Sequence, residues 1–195
     1  MKFIGITGGI GSGKSFVAQI IERMGYPVYY ADKEARILMN SHPIISESLM
    51  DWFGKEIYSN GELNREKMAT CIFHDEQMRS KVNQLVHPLV REAFVNWASS
   101  QNKPLVFNEA AILYETDAYK KFHEIILVTA PLSLRISRVM KRDGISEEQI
   151  RDRMEAQWSD DKKLSFGPYE IINDNRLPLM SQIEEVIEQL LKSDD

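Results

Sequence analysis

The chain has 195 residues, room for one ordinary domain or for one domain carrying an insertion. It is 43% hydrophobic and 27% charged, so it can bury a core and is not a disordered polymer. Its 24 basic against 29 acidic side chains leave a net charge of −5, which argues against a general binder of nucleic acid or of anionic membranes, because those carry a basic excess. Cys71 is alone, which excludes an intramolecular disulfide and makes a reducing compartment the expectation. No stretch approaches the roughly 18 apolar residues of a membrane span, and the glycines from Gly5 onward leave no apolar signal region. The expectation is a cytoplasmic protein with no membrane and no nucleic-acid partner.

Met1 to Thr7 is a short apolar run ending in glycines, the pattern of a buried parallel strand. Phe16, Val17, Ile20, Ile21 and Met24 then recur at helical spacing, with Gly25 as the cap and Pro27 to Tyr30 as a second strand. Strand, helix and strand in 30 residues imply α/β architecture. From Ala35 to about Ser100 the pattern is almost purely helical. Ile45, Leu49 and Trp52/Phe53 mark one helix, Asn60-Gly61 a turn, and Asn64 the N-cap of a helix over Arg65 to Phe73. A longer helical stretch runs from Met78 to Phe94, with a kink or restart expected at Pro88. Strands resume at Leu105–Phe107, Ile125–Val128 and Tyr169–Ile172. Helices are expected over Leu132–Arg142, over Ser146–Gln157 and, after Pro178, along Leu179 to Leu191.

Gly8-Gly9-Ile10-Gly11-Ser12-Gly13-Lys14-Ser15 satisfies G-x-x-x-x-G-K-[ST] at every fixed position, with a strand before it and a helix after it. Such a loop turns successive backbone N–H groups around a phosphate, and the following helix adds its N-terminal partial charge. Gly9, Ile10, Gly11, Ser12, Gly13, Lys14 and Ser15 are therefore expected to bind a nucleoside triphosphate. Lys14 would reach the β- and γ-phosphates, and the Ser15 hydroxyl would take a Mg²⁺ position.

Asp32 follows the second strand, on the sheet edge that carries the loop, where a carboxylate can orient or deprotonate an acceptor hydroxyl; it also reads as a helix N-cap, and the two roles can coexist. Arg135, Arg138 and Arg142 share one helix face, and Arg151, Arg153, Lys162 and Lys163 follow. As a group they suit a lid that brings cations to the transferring phosphate, against the alternative of a solvated charged face. Glu109 reads either as a second carboxylate near metal-bound water or as an exposed loop acid. His87 reads as a substrate contact or a helix-end hydrogen bond. His42, His74, His87 and His123 have no ligand-like spacing, so no zinc site is assigned. Cys71, between apolar neighbours, is expected in the core.

These residues resemble the dephospho-coenzyme A kinase family through nearly the whole chain. Ile4 to Ser15 is similar to that family's phosphate-loop signature. Ala31-Asp32 with Arg36 is similar to its acidic motif, His87-Pro88 to its His-Pro element, and Glu109 to Glu115 to its acid–apolar–glutamate segment. Arg138, Arg142, Arg153 and Gln157 fall where its lid carries Arg-x-x-x-Arg and Arg-x-x-x-Gln. Tyr30, Ala111, Glu109 and Arg135 depart from the usual pattern, where the family often has aspartate, proline, aspartate and glutamine. The resemblance implies a P-loop NTP hydrolase fold of nucleoside-monophosphate-kinase type, a parallel sheet flanked by helices, as a single domain. Its core would be about 1–34, 101–134 and 164–195, with a helical substrate-binding insertion at about 35–100 and a helical lid at about 135–163.

The implied reaction is transfer of the ATP γ-phosphoryl group, with Mg²⁺, to the ribose 3′-hydroxyl of dephospho-CoA, the last step of coenzyme A biosynthesis, by a monomer or small homo-oligomer. Asp32, Lys14, Arg138 and Arg142 would be catalytic, Asp32, Arg36, His87 and Glu109 would face the acceptor, and Asn173 or Asn175 would lie near adenine. Another small-molecule kinase of the same architecture is the main rival. A GTPase switch would need Asn-Lys-x-Asp, and Asn102-Lys103-Pro104-Leu105 lacks the aspartate.

Overall fold

Val, Ile and Leu run through the strands without polar alternation because both faces of this sheet are covered. The computed structural model describes residues 1–73 and 75–192, and the chain divides into two units, Met1–Tyr30 with Gln101–Asp195, and Ala31–Ser100. His74 lies outside the described residues. In chain order the elements are β1 (Lys2–Thr7), α1 (Lys14–Arg23), β2 (Val28–Tyr30), α2 (Ala31–Ser41), α3 (Pro43–Phe53), a 3-10 turn (Lys55–Ile57), β3 (Tyr58–Ser59), β4 (Glu62–Leu63), α4 (Arg65–Phe73) and α5 (Glu76–Ser99). Then come β5 (Leu105–Glu109), a 3-10 turn (Ala118–Lys121), β6 (Glu124–Thr129), α6 (Leu132–Asp143), α7 (Glu147–Glu155), α8 (Asp160–Leu164), β7 (Tyr169–Ile172) and α9 (Leu179–Lys192).

The first unit is built on a parallel sheet of order β2-β5-β1-β6-β7. The register sets Ile6 and Tyr30 beside Glu109, Gly5 beside Ile125, and Val128 beside Ile171. Because all strands are parallel, Thr7, Tyr30, Glu109, Thr129 and Ile172 end at one edge. Ile4, Ile6, Phe107, Ile126 and Val128 pack with Val17 and Ile21 of α1 and with Ile183, Ile187 and Leu190 of α9. Each such side chain contributes about 1.5–3 kcal/mol on burial. Helix α1 ends in a Schellman turn, in which Gly25 N–H donates to Glu22 O (3.0 Å) and Tyr26 N–H to Ile21 O (3.3 Å), with Gly25 at φ 89°.

In the second unit, Ile45 and Leu49 of α3, Ile57, and Val82, Val86, Val90, Phe94 and Ala98 of α5 are buried. Asn64 caps α4, its Oδ1 accepting from Lys67 N–H at 3.0 Å. Asn60 and Gly61, both at positive φ, join β3 to β4 in a tight hairpin that the helical reading of this region did not include.

Two open alternatives are decided and one expectation is corrected. α5 continues through Pro88 without a restart: the proline removes one helical hydrogen bond, but the apolar residues buried on either side of it hold the helix as one element. Cys71 is exposed rather than core, because α4 turns it outward. β5 runs on to Glu109, which is buried, not an exposed loop acid. Nothing surrounds the position of a Cβ on Gly25 within 4 Å, so Gly25→Ala tests backbone strain alone. It should lower unfolding stability by about 1–2 kcal/mol with an unchanged denaturant slope.

Candidate active site

Residues 8–13 link β1 to α1 at the carboxyl edge of the sheet. Ser12 N–H donates to Gly9 O (3.0 Å), and the Phe16 and Val17 amides both donate to Gly13 O (2.9 and 3.1 Å). The amides of Gly11, Gly13, Lys14 and Ser15 have no protein acceptor among the described residues, which leaves four donors at a helix N-terminus for an anion. The Ser15 hydroxyl donates to Glu109 Oε1 at 2.9 Å, and Lys14 Nζ lies 3.9 Å from the same oxygen. Glu109 is only 4% exposed. Hydroxyl and carboxylate oxygens are the ligands a hard divalent cation takes, and amides with an ammonium are those a polyphosphate takes. The residues present therefore suit a nucleotide with its cation.

The outer side of the loop is occupied by side chains from α6, from the turn after α7 and from the end of β7. Arg135 Nε donates to Ile10 O (2.9 Å) while its Nη1 pairs with Asp160 Oδ2 (2.9 Å). Arg138 donates to Ser12 O (3.3 Å), to Asn173 O (3.0 Å) and to Asn175 Oδ1 (2.8 Å). Asn173 Nδ2 donates to Ser12 O at 2.8 Å, and Gln157 Oε1 accepts from Ile10 N–H at 2.9 Å. A Cβ on Gly13 would collide with the Asn173 side-chain amide, and Gly13 has φ +93°, so a side chain here would displace Asn173 and strain the backbone. Arg142, one turn beyond Arg138, is 64% exposed and forms two hydrogen bonds to Asp143 (2.6 and 2.9 Å). Those bonds hold the Asp143 carboxyl below its ordinary range. Lys14, Ser15, Glu109, Arg138, Asn173 and Asn175 are thus gathered at the loop, and Arg142 is paired elsewhere.

In the helical unit, Asp32 stands in the first turn of α2 with Arg36 one turn on, both exposed. His87 of α5 is half-buried. Burial, and next the Arg91 charge, push its imidazole below the ordinary value of 6.5, while the Asp32 charge pulls the other way. Asp32 and His87 therefore feel one another within this unit.

The profile of the dephospho-CoA kinase family matches residues 2–178. The dephospho-CoA kinase of Bacteroides fragilis is 42% identical, the alignment covering 94% of this chain and 90% of that protein. The chain belongs to the dephospho-CoA kinase family. Among solved structures, TT1252 from Thermus thermophilus is 32% identical with a TM-score of 0.85, over 100% of this chain and 98% of that one. The dephospho-CoA kinase from Campylobacter jejuni, 22% identical over 99% and 98% of the two chains, shares the fold with a TM-score of 0.71. The fold is that of the P-loop kinases, a parallel sheet flanked by helices.

Within this dephospho-CoA kinase family member, residue reading missed a buried ionic contact. Lys163, grouped with the lid cations, is fully buried with Nζ 2.9 Å from Glu115 Oε1, the oxygen that also accepts Trp158 N–H at 2.9 Å. The pair is an ionic contact, not an aligned hydrogen bond, and Lys163 is unavailable to a phosphate. Beside it Tyr114 packs on Tyr119 and Phe166, and burial pushes the phenol up to about 12. The signal for the pair was present as the closing glutamate of the Glu109–Glu115 segment, but nothing in linear order joins it to position 163.

For His87 the linkage sign is that of a depressed base: the native state rejects the proton that the unfolded chain takes up near pH 6.5. Its stabilising contribution is complete above that pH and is lost as pH falls through the lower native value. NMR titration should place the His87 midpoint below 6.5, and Asp32→Asn should move it lower still; a midpoint unmoved by that change would separate the two residues.

Proposed function

We propose that this chain transfers the γ-phosphoryl group of ATP to the ribose 3′-hydroxyl of dephospho-CoA, releasing CoA and ADP as the last step of coenzyme A biosynthesis. The observation that carries the reading is the meeting of Lys14 and Ser15 on one buried carboxylate, Glu109, in a member of the dephospho-CoA kinase family. The free amides of Gly11, Gly13, Lys14 and Ser15 bind the polyphosphate, and the Lys14 ammonium neutralises its β- and γ-oxygens. Ser15 and Glu109 would hold a Mg²⁺, which supplies further charge neutralisation when bound. Arg138, already fixed beside the loop, stabilises charge on the transferring group. Arg142 joins it by exchanging Asp143 for phosphate.

Asp32 orients the acceptor hydroxyl or takes its proton, and Arg36 and His87 hold the acceptor with it. A neutral His87 is a donor–acceptor suited to a sugar hydroxyl. Both polar ends of the Asn173 amide are engaged with Ser12 and Arg138, whereas the Asn175 NH₂ has no acceptor among the described residues, which favours Asn175 as the adenine contact. The reading takes the whole chain as one kinase domain, with the insertion at about 35–100 shaping the acceptor pocket and 135–163 serving as lid. It is a cytoplasmic enzyme whose partners are ATP and dephospho-CoA.

ADP release from MgATP, with dephospho-CoA beside AMP, shikimate and pantothenate, should occur only with dephospho-CoA and be matched by CoA formation. Turnover with another acceptor instead would leave a P-loop kinase of different specificity. Asp32→Ala should lower kcat by about 10²- to 10⁴-fold with little change in ATP affinity, and near-normal turnover would remove Asp32 from the mechanism. Lys14→Ala should depress ATP binding and turnover together; unchanged turnover would discard the loop assignment.

A further inference from the structure

Ile10 lies in the middle of the phosphate loop, yet each of its three groups is engaged by the segment from α6 to α8. Its N–H donates to Gln157 Oε1 at 2.9 Å, and its carbonyl accepts from Arg135 Nε at 2.9 Å. Its side chain packs on Ile136, Val139 and Ile150 of α6 and α7. Both polar arms are backed by ionic contacts. Arg135 is fixed by Asp160 at 2.9 Å. The residue after Gln157 is fixed by Glu115, which accepts Trp158 N–H and faces the buried Lys163. The Ile10 amide is consequently spent on protein, unlike the amides of Gly11, Gly13, Lys14 and Ser15.

We propose that Gln157 and Arg135 are positioning residues that clamp the Ile10 backbone from outside, so that the affinity of the loop for ATP is set by the α6–α8 segment as well as by the loop's own glycines. Ile10 then contributes to nucleotide binding as the point where the loop is held and not as a phosphate donor. A loop with several glycines has many backbone states, and tethering one central residue at both its donor and its acceptor removes most of them before ligand arrives. The inference rests on the reading of this loop as the ATP site and is independent of the acceptor.

The test is calorimetric binding of MgATP, without acceptor, to the full chain and to Gln157→Met, which keeps the side chain's length and apolar stem but removes the acceptor oxygen. Loss of one such bond should weaken ATP by about 5- to 10-fold and speed hydrogen exchange at the Ile10 amide. In turnover assays KM for ATP should rise by the same factor, with KM for dephospho-CoA unchanged. Arg135→Met should act in the same direction, and in the double variant the second change should add less than it does alone, because the backbone at Ile10 has already been loosened. Unchanged ATP affinity in Gln157→Met, a lowered melting temperature with KM for ATP intact, strictly additive effects, or failure of the parent chain to bind ATP would each overturn the clamp. A parent that binds ATP but does not phosphorylate dephospho-CoA would sink the acceptor assignment and leave the clamp to be decided by the variants' affinities.

Discussion

A loop that turns its amides inward to meet an anion must turn carbonyls outward, and those carbonyls need donors of their own. Much of the first unit's polar architecture answers that requirement. Ile10 O receives Arg135, and Ser12 O receives Arg138 and Asn173. Guanidinium groups suit this task because one fork serves two acceptors at once: Arg135 joins a loop carbonyl to Asp160, and Arg138 joins another to the turn after β7. The cations that neutralise the loop's outward dipoles also raise the positive potential on its inner side, where phosphate would sit. Support and ligand attraction come from the same side chains.

Inside the loop the balance of charge is different. Glu109 is buried at the end of the strand between β1 and β2, where an unpaired carboxylate would be costly. Lys14 and the Ser15 hydroxyl supply its compensation. The arrangement keeps the lysine and the hydroxyl in place without nucleotide, so little has to be reorganised when polyphosphate and a divalent cation add their own charges.

Much of this was legible in the sequence because its signals are local. The phosphate loop, the Gly25 cap, the Asn64 cap and the five strands of the large sheet all follow from periodicity and end residues within a few positions of each other. What escaped depends on partners distant in the chain. Pro88 breaks a helix in isolation but not one held by Val82, Val86, Val90 and Phe94. Glu109 stands open between a site carboxylate and an exposed loop acid until Ser15, 94 residues away, is seen to donate to it. Lys163 reads as a surface cation until Glu115 is found against it. Arg36 carries no local signal of a role and its selection came from family resemblance, whereas Asp32 stands out by following the second strand at the sheet edge that carries the loop.

The two units differ in how they are written along the chain. The helical unit is one uninterrupted stretch, Ala31–Ser100, whereas the sheet unit is split, with β1 pairing to strands that begin at Leu105 and Glu124. On a chain made from its N-terminus, every residue of the helical unit exists before the first partner of β1 has been synthesised. All of its internal contacts can close within that one stretch, whereas the sheet must wait for strands encoded on the far side of it. Until then β1 and β2 are apolar strands without neighbours, so the interval spent making α2 to α5 is the period in which the nascent chain is most exposed to mispairing.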